Sequence, residues 1–347
     1  MQKKSPLSLI LTIQDVQHAG YIMEKEILAV KNLKKYFFFN SGSFFKKKRI
    51  VIKAVDNVNF SINKGETLGV VGETGCGKTT LGRTIVKLYE PDDGEIILKG
   101  MNITKLNDLE MKPMRKIIQM IFQDPYLSLD ARMTAGEIIA EPMKIHKLYE
   151  NEKELNDRVN ELLGLVGLNE EHKIRYPHEF SGGQRQRIGI ARSLAVNPEI
   201  IICDEPVSAL DVSIQAQIIN LFEDLQEKFG LTYIFISHDL SMVKHISTKV
   251  AVMYLGKIIE LADSLDLYKN PIHPYTKALI SAVPLPDPKL ERKRKRIILP
   301  KDIGEESSIS AGCRFIGRCN ISKEICKETE PPLIDKGCSH FVACHLL

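Results

Sequence analysis

No apolar run in this sequence reaches the roughly 18 residues that a membrane-crossing helix needs; the best stretch is the short Pro6–Ile13. That stretch follows Lys3 and Lys4, but no small-residue cleavage site comes soon after it, which argues against a signal peptide. Residues 1–22 are read either as a flexible extension or as an over-long start, with Met23 as the working initiator. Strong charge of one sign is also missing. The 48 basic and 44 acidic residues leave a net charge of +4, so bulk charge does not mark a nucleic-acid binder. Cysteine is scarce through most of the chain, and five of the seven fall in the last thirty-five residues. That distribution points to one local site more than to a protein-wide disulfide framework. There is no internal repeat.

What is present suits a globular protein of about two domains: 347 residues, 44% hydrophobic and 27% charged. From Met23 to about residue 260, short β-branched runs alternate with helical segments, an α/β pattern. Thr67–Val71, Ile117–Phe122, Ile200–Cys203 and Thr232–Ile236 are expected strands, each ending where a polar or glycine-rich motif begins. Open α/β sheets place their ligands at such strand ends. Residues 135–195 are expected to be mostly helical, with Leu155, Val159, Leu162 and Leu163 on the buried face of a helix over Glu152–Leu165. Prolines become frequent after residue 260, marking a change of organisation. The expected division is 1–22, a nucleotide-binding domain over 23–262, and a C-terminal extension over 263–347 with a cysteine-rich motif.

Gly72-Glu73-Thr74-Gly75-Cys76-Gly77-Lys78-Thr79 matches the phosphate-binding loop, and it sits between an expected strand and an expected helix, as that motif requires. Its glycines let the backbone wrap an anion, and the N–H groups and helix start supply positive potential. Lys78 adds a point charge for the β- and γ-phosphates, and the Thr79 hydroxyl is a Mg²⁺ ligand. Cys76 is read as a small loop residue with no redox role. The strand Ile200–Cys203 runs into Asp204 and Glu205. Asp204 is placed to hold the Mg²⁺ shell, and Glu205 to orient and deprotonate the attacking water. His238, at the end of its own apolar strand, is a donor to the γ-phosphate. Ser181-Gly182-Gly183-Gln184 opens a further helix with Ser181 as N-cap, a second anion-seeking helix start. One nucleotide needs one such loop, so this second start is assigned to a nucleotide held by a partner subunit.

These motifs resemble the ATP-binding-cassette family over about residues 26–260. Gly72 to Thr79, with Thr80 next to it, corresponds to the first nucleotide motif, Ser181 to Gln184 to the signature, and Ile200 to Glu205 to the second nucleotide motif. Ser208-Ala-Leu-Asp211 and His238 match the two motifs that follow. The resemblance implies that Gln123 senses Mg²⁺ and that Tyr36 stacks on adenine, with Phe37, Phe38 and Phe39 as neighbouring candidates. It also implies a phosphate-loop α/β fold with antiparallel-β and helical subdomains. The distance from Lys78 to Ser181 leaves no room for the long coiled coil of DNA-repair cassettes. Asp124–Thr134, Ser213–Gln217 and Pro271–Leu279 are similar to segments of peptide-importer ATPases, and the combination is closest to the F-type subunit of oligopeptide and dipeptide permeases. Nickel and glutathione importers share most of these features. The implied partners are a paralogous D-type ATPase subunit, two transmembrane permease subunits and an extracytoplasmic peptide-binding protein, at the cytoplasmic face of the membrane. A soluble ATPase acting on nucleic acid is the competing class, prompted by the basic run Arg292–Arg296; its near-neutral setting without interleaved aromatics favours an exposed linker instead.

The cysteines remain. Cys313, Cys319, Cys326 and Cys344 are spaced more loosely than the paired knuckles of structural zinc and do not match common ferredoxin spacings. Zinc, an iron–sulfur cluster and scattered thiols all stay open on chemistry alone. Gly312-Cys-Arg-Phe, Arg318-Cys, Ile325-Cys and Val342-Ala-Cys-His345 resemble the C-terminal motif of the permease ATPases, which implies a 4Fe-4S cluster on those four, with Cys338 the odd one out and His340 and His345 bystanders.

Overall fold

A computed structural model describes residues 26–41, 48–284, 289, 296–300 and 311–346. The expectations for residues 1–22 and for Arg292–Lys295 lie outside them. The chain opens with two long paired strands, β1 (Glu26–Ser41) and β2 (Lys48–Asn63), followed by β3 (Thr67–Val71), β4 (Asp93–Leu98), β5 (Met101–Asn102) and β6 (Ile118–Ile121). Then come β7 (Ile200–Asp204), β8 (Thr232–Ser237), β9 (Lys249–Tyr254), β10 (Lys257–Asp263), β11 (Ile334–Asp335) and β12 (Phe341–Val342). They form an antiparallel sheet ordered β2-β1-β4-β5 and a larger one ordered β11-β12-β10-β9-β3-β8-β7-β6.

In the larger sheet β9, β3, β8, β7 and β6 run parallel, and every residue of β3, β7 and β8 is buried. Parallel strands covered on both faces require such unbroken apolar runs. The two-residue period of a strand then divides the core. Ile200, Ile202, Ile234 and Ile236 face β1, β2 and β4, while Ile201, Cys203, Tyr233 and Phe235 face the helical region over 135–194.

That region holds helices Ala135–Ile145, Glu152–Leu165 and Gly182–Leu194. Leu155, Val159, Leu162 and Leu163 are the buried residues of the middle one, as its pattern predicts. The strand expected over Ile117–Phe122 is shorter, because the helix Asp108–Ile117, started by a capping box on Asn107 and Glu110, takes Ile117 as its last residue.

The residues after 310 pack onto the main sheet. Val342 and Phe341 pair with Glu260 and Leu261 of β10, and Phe315, 2% exposed, belongs to the same core as Tyr254 and Tyr275. A short tail that borrows an existing core and sheet edge does not have to build its own.

Candidate active site

The phosphate loop joins β3 to the helix Lys78–Ile85. Gly72 and Gly77 hold φ of 154° and 107°, and a Cβ at either would lie 2.2 Å from the Met253 carbonyl oxygen or 1.9 Å from that of Ala54. Only glycine fits such backbone angles at that closeness. Lys78, 4% exposed, donates from Nζ to the carbonyls of Gly72 (2.8 Å) and Glu73 (3.0 Å), so its charge is held at the mouth of the loop. Cys76 is buried beneath it, and desolvation pushes its thiol pKa up, which suits a filler more than a nucleophile. Thr74 and Gly75 are exposed in the loop, and Thr80 lies in the first turn of the helix.

Strand β7 delivers the two carboxylates. Asp204 Oδ1 accepts a 2.8 Å hydrogen bond from the Thr79 hydroxyl. Its other oxygen, Oδ2, is buried with no hydrogen-bond partner among the described residues. Burial raises the Asp204 pKa, against the lowering effects of Thr79 and Arg83. A buried carboxylate oxygen left unsatisfied is costly, and a divalent cation beside the Thr79 hydroxyl would satisfy it. The donor set therefore fits Mg²⁺.

Glu205 has φ of 45°, unusual for a residue other than glycine; such strain costs on the order of 1–3 kcal/mol and gathers at functional sites. Gln123 Nε2 donates to Glu205 Oε2 at 2.9 Å, and His238 Nδ1 lies 3.3 Å from the same oxygen. Gln123 follows β6 and His238 follows β8, so three neighbouring strand ends bring them to one carboxylate.

Not all expected site residues meet here. Ser181 and Gln184 form a reciprocal capping box, Gln184 N–H to Ser181 Oγ at 3.3 Å and Ser181 N–H to Gln184 Oε1 at 3.0 Å. Among the described residues their bonds stay within that helix start. A Cβ at Gly183 would lie 2.6 Å from Ile214, so the signature backbone packs closely on the next helix. Asp211 is exposed at the N-cap of the helix Val212–Phe229.

Tyr36 donates from its hydroxyl to Asp56 at 2.5 Å, and Asp56 is bonded in turn by Arg314. Phe37 instead packs edge-on against Tyr89 at 5.5 Å, and Phe38 and Phe39 are exposed. Sequence reading gave no role to Tyr275 or Arg318, both of which contact Glu73.

Cys313, Cys319, Cys326 and Cys344 line one small cavity, together with His345, and all are free thiols. Burial pushes the Cys313 pKa up to about 11. Among the described residues no three His, Cys, Asp or Glu side chains are grouped so as to hold a metal ion. The donor types fit a cluster or zinc, but this arrangement does not.

Fold and loop geometry define an ABC-type ATPase. A family described as ABC transporter matches residues 55–208, and one described as oligopeptide/dipeptide transporter, C-terminal region, matches 259–326. The oligopeptide transport ATP-binding protein AppF of Bacillus subtilis is 55% identical, over 93% of this chain and 98% of its own length. OppF of Salmonella typhimurium is 48% identical over 92% and 96%. Among solved structures, the ATP-binding cassette MJ0796, a dimer in a post-hydrolysis state with ADP and Pi, has a TM-score of 0.61 at 30% identity, covering 69% of this chain and 99% of its own. The chain belongs to the oligopeptide/dipeptide transporter family of ABC ATP-binding proteins and is an ATP-hydrolysing transport subunit. Membership of this transporter family implies membrane permease partners; among the described residues of this chain no helix is long and apolar enough to cross a membrane.

Proposed function

We propose that this chain powers import of oligopeptides or dipeptides from the cytoplasmic face of the cell membrane. It works head to tail with a paralogous D-type ATPase on two transmembrane permease subunits, supplied by an extracytoplasmic peptide-binding protein. The observation that carries the catalytic part is the meeting of Gln123 and His238 on Glu205, beside the Thr79–Asp204 pair. The peptide cargo is supported by the relatives' names.

In this mechanism Lys78, aimed by its two loop carbonyls, turns its remaining N–H to the β- and γ-phosphates, and the loop N–H groups close around them. Tyr36, braced by Asp56, presents its ring to adenine. Thr79 and Asp204 would hold Mg²⁺, with Gln123 nearby; the ion supplies positive charge to the β- and γ-phosphate oxygens. Glu205 orients the water, whose oxygen bonds to the γ-phosphorus while its proton passes to the carboxylate and the bridging oxygen leaves with ADP. Gln123 and His238 both engage Oε2, which leaves Oε1 to take that proton. His238 serves as the donor to the γ-phosphate. The Ser181–Gln184 helix start, with Ser181 exposed, binds the partner's nucleotide, so ATP favours the closed pair and hydrolysis reopens it. The dimeric cassette among the solved structures is consistent with such pairing.

Cysteines introduced at Ser181 and in the partner's phosphate loop are expected to cross-link in the assembled transporter only when ATP is bound. No link under any nucleotide condition would overturn the head-to-tail arrangement.

For the tail we propose a 4Fe-4S cluster on Cys313, Cys319, Cys326 and Cys344, with zinc as the alternative ion. Its support is that all four thiols line one cavity; in this arrangement they are not grouped as metal ligands. Anaerobically purified protein should be brown, absorb near 400 nm as iron–sulfur proteins broadly do, and lose the colour in Cys319→Ser. Colourless protein with stoichiometric zinc would replace the cluster by a zinc staple.

A further inference from the structure

Glu73, the second residue of the phosphate loop, uses its three polar groups in three directions. Its carbonyl oxygen accepts from Lys78 Nζ at 3.0 Å. Its N–H donates to the Tyr275 hydroxyl at 2.9 Å. Its carboxylate takes a fork of two bonds from Arg318, 2.7 Å to Oε2 and 2.9 Å to Oε1. The first bond holds the residue that must meet the phosphates; the other two come from the C-terminal extension, 202 and 245 positions away in sequence.

These anchors are stiff. Tyr275 is fully buried, with ring centroids 4.8 Å from Tyr254 and 5.6 Å from Phe315. Arg318 lies 5.9 Å from the Tyr254 ring centroid and donates from Nε to the Pro300 carbonyl at 3.1 Å. Its side chain is only 11% exposed. Exposed single ion pairs contribute little, but a bidentate Arg–carboxylate fork fixes orientation as well as charge, here with Arg318 covered and the Glu73 side chain 40% exposed. The loop needs such fixing, because Glu73 stands beside Gly72 and two residues before Gly75, with φ of 154° and 84°. Glycines leave a backbone free to sample other conformations.

We propose that Tyr275 and Arg318 are positioning residues for ATP: by fixing Glu73 they set the loop carbonyls that aim Lys78, and they make the C-terminal extension part of the nucleotide site.

This inference rests on the ATPase activity, which the wild-type assembly must display for the test to be read. Steady-state hydrolysis by the complete transporter should give, for both Tyr275→Phe and Arg318→Ala, a KM for ATP raised about 5- to 20-fold, the scale of one lost hydrogen bond, neutral for Tyr275 and charge-assisted for Arg318. Their kcat should stay within about 3-fold, because Glu205 and its partners are untouched. Glu73→Gln alone should raise KM on the same scale, and the double variant Glu73→Gln/Arg318→Ala should be no worse than either of its singles, since the two residues act through one contact. Tyr275→Phe removes a single oxygen, so it carries the test even if Arg318→Ala fails to fold. A KM within about 2-fold of wild type in Tyr275→Phe and in any folded Arg318→Ala would overturn the inference while leaving the ATPase reading intact. Additive effects in the double variant would overturn the Glu73 linkage. Absence of hydrolysis in the wild-type transporter would instead strike the ATPase reading itself.

Discussion

Glu205→Gln is expected to lower the ATP turnover of the assembled transporter by about 10²- to 10⁴-fold, the usual contribution of a positioned general base, while MgATP still binds. The substitution keeps the size of the side chain and its capacity to accept from Gln123, 2.9 Å from Oε2, beside His238 Nδ1 at 3.3 Å. It removes the basic oxygen that takes the water's proton. The closed nucleotide-bound pair should therefore accumulate, because reopening depends on hydrolysis. Single-turnover release of phosphate, measured beside equilibrium binding of labelled ATP, separates the two effects. Wild-type turnover in this variant would show that another group activates the water.

The second large effect is expected at the other end of the triphosphate. Lys78→Ala should weaken MgATP binding about 10- to 100-fold, because it deletes charge-assisted bonds worth about 1.5–3 kcal/mol at a buried position. It also leaves the carbonyls of Gly72 and Glu73 without the ammonium they now share. The damage should fall on affinity, in contrast to Glu205→Gln, and equilibrium dialysis with nucleotide reads it directly. Unchanged affinity would remove Lys78 from the phosphate site.

The two variants differ in how their residues can be recognised. Lys78, Thr79, Asp204 and Glu205 are legible because each lies in or beside a strand end whose apolar run and motif are local in sequence. Gln123 has no local chemical mark and is reached through family resemblance, yet in the fold it bonds Glu205 across 82 positions. Arg318 and Tyr275 were not legible as site residues at all. Their contacts with Glu73 exist only because the tail folds back onto the main sheet, where Phe315 enters the core and Phe341–Val342 extend β10. Periodicity predicts which face of the helix Glu152–Leu165 is buried, since that depends on spacing alone. It does not predict a two-residue strand added at a sheet edge, whose pairing is set by tertiary contact. The end of the strand expected at Ile117 fails for a related reason: a capped helix runs directly into it, and the apolar run carries no signal of the change from one to the other.

The central claim is that hydrolysis at this site drives peptide import. The most direct measurement is uptake of a labelled oligopeptide into proteoliposomes holding the complete transporter, with binding protein and ATP on their proper sides, for wild type and Glu205→Gln in parallel. ATP-dependent uptake by the wild type that falls with hydrolysis in the variant is the predicted result. Uptake that continues at the wild-type rate when Glu205 is replaced, or a working ATPase that moves no peptide, would contradict it.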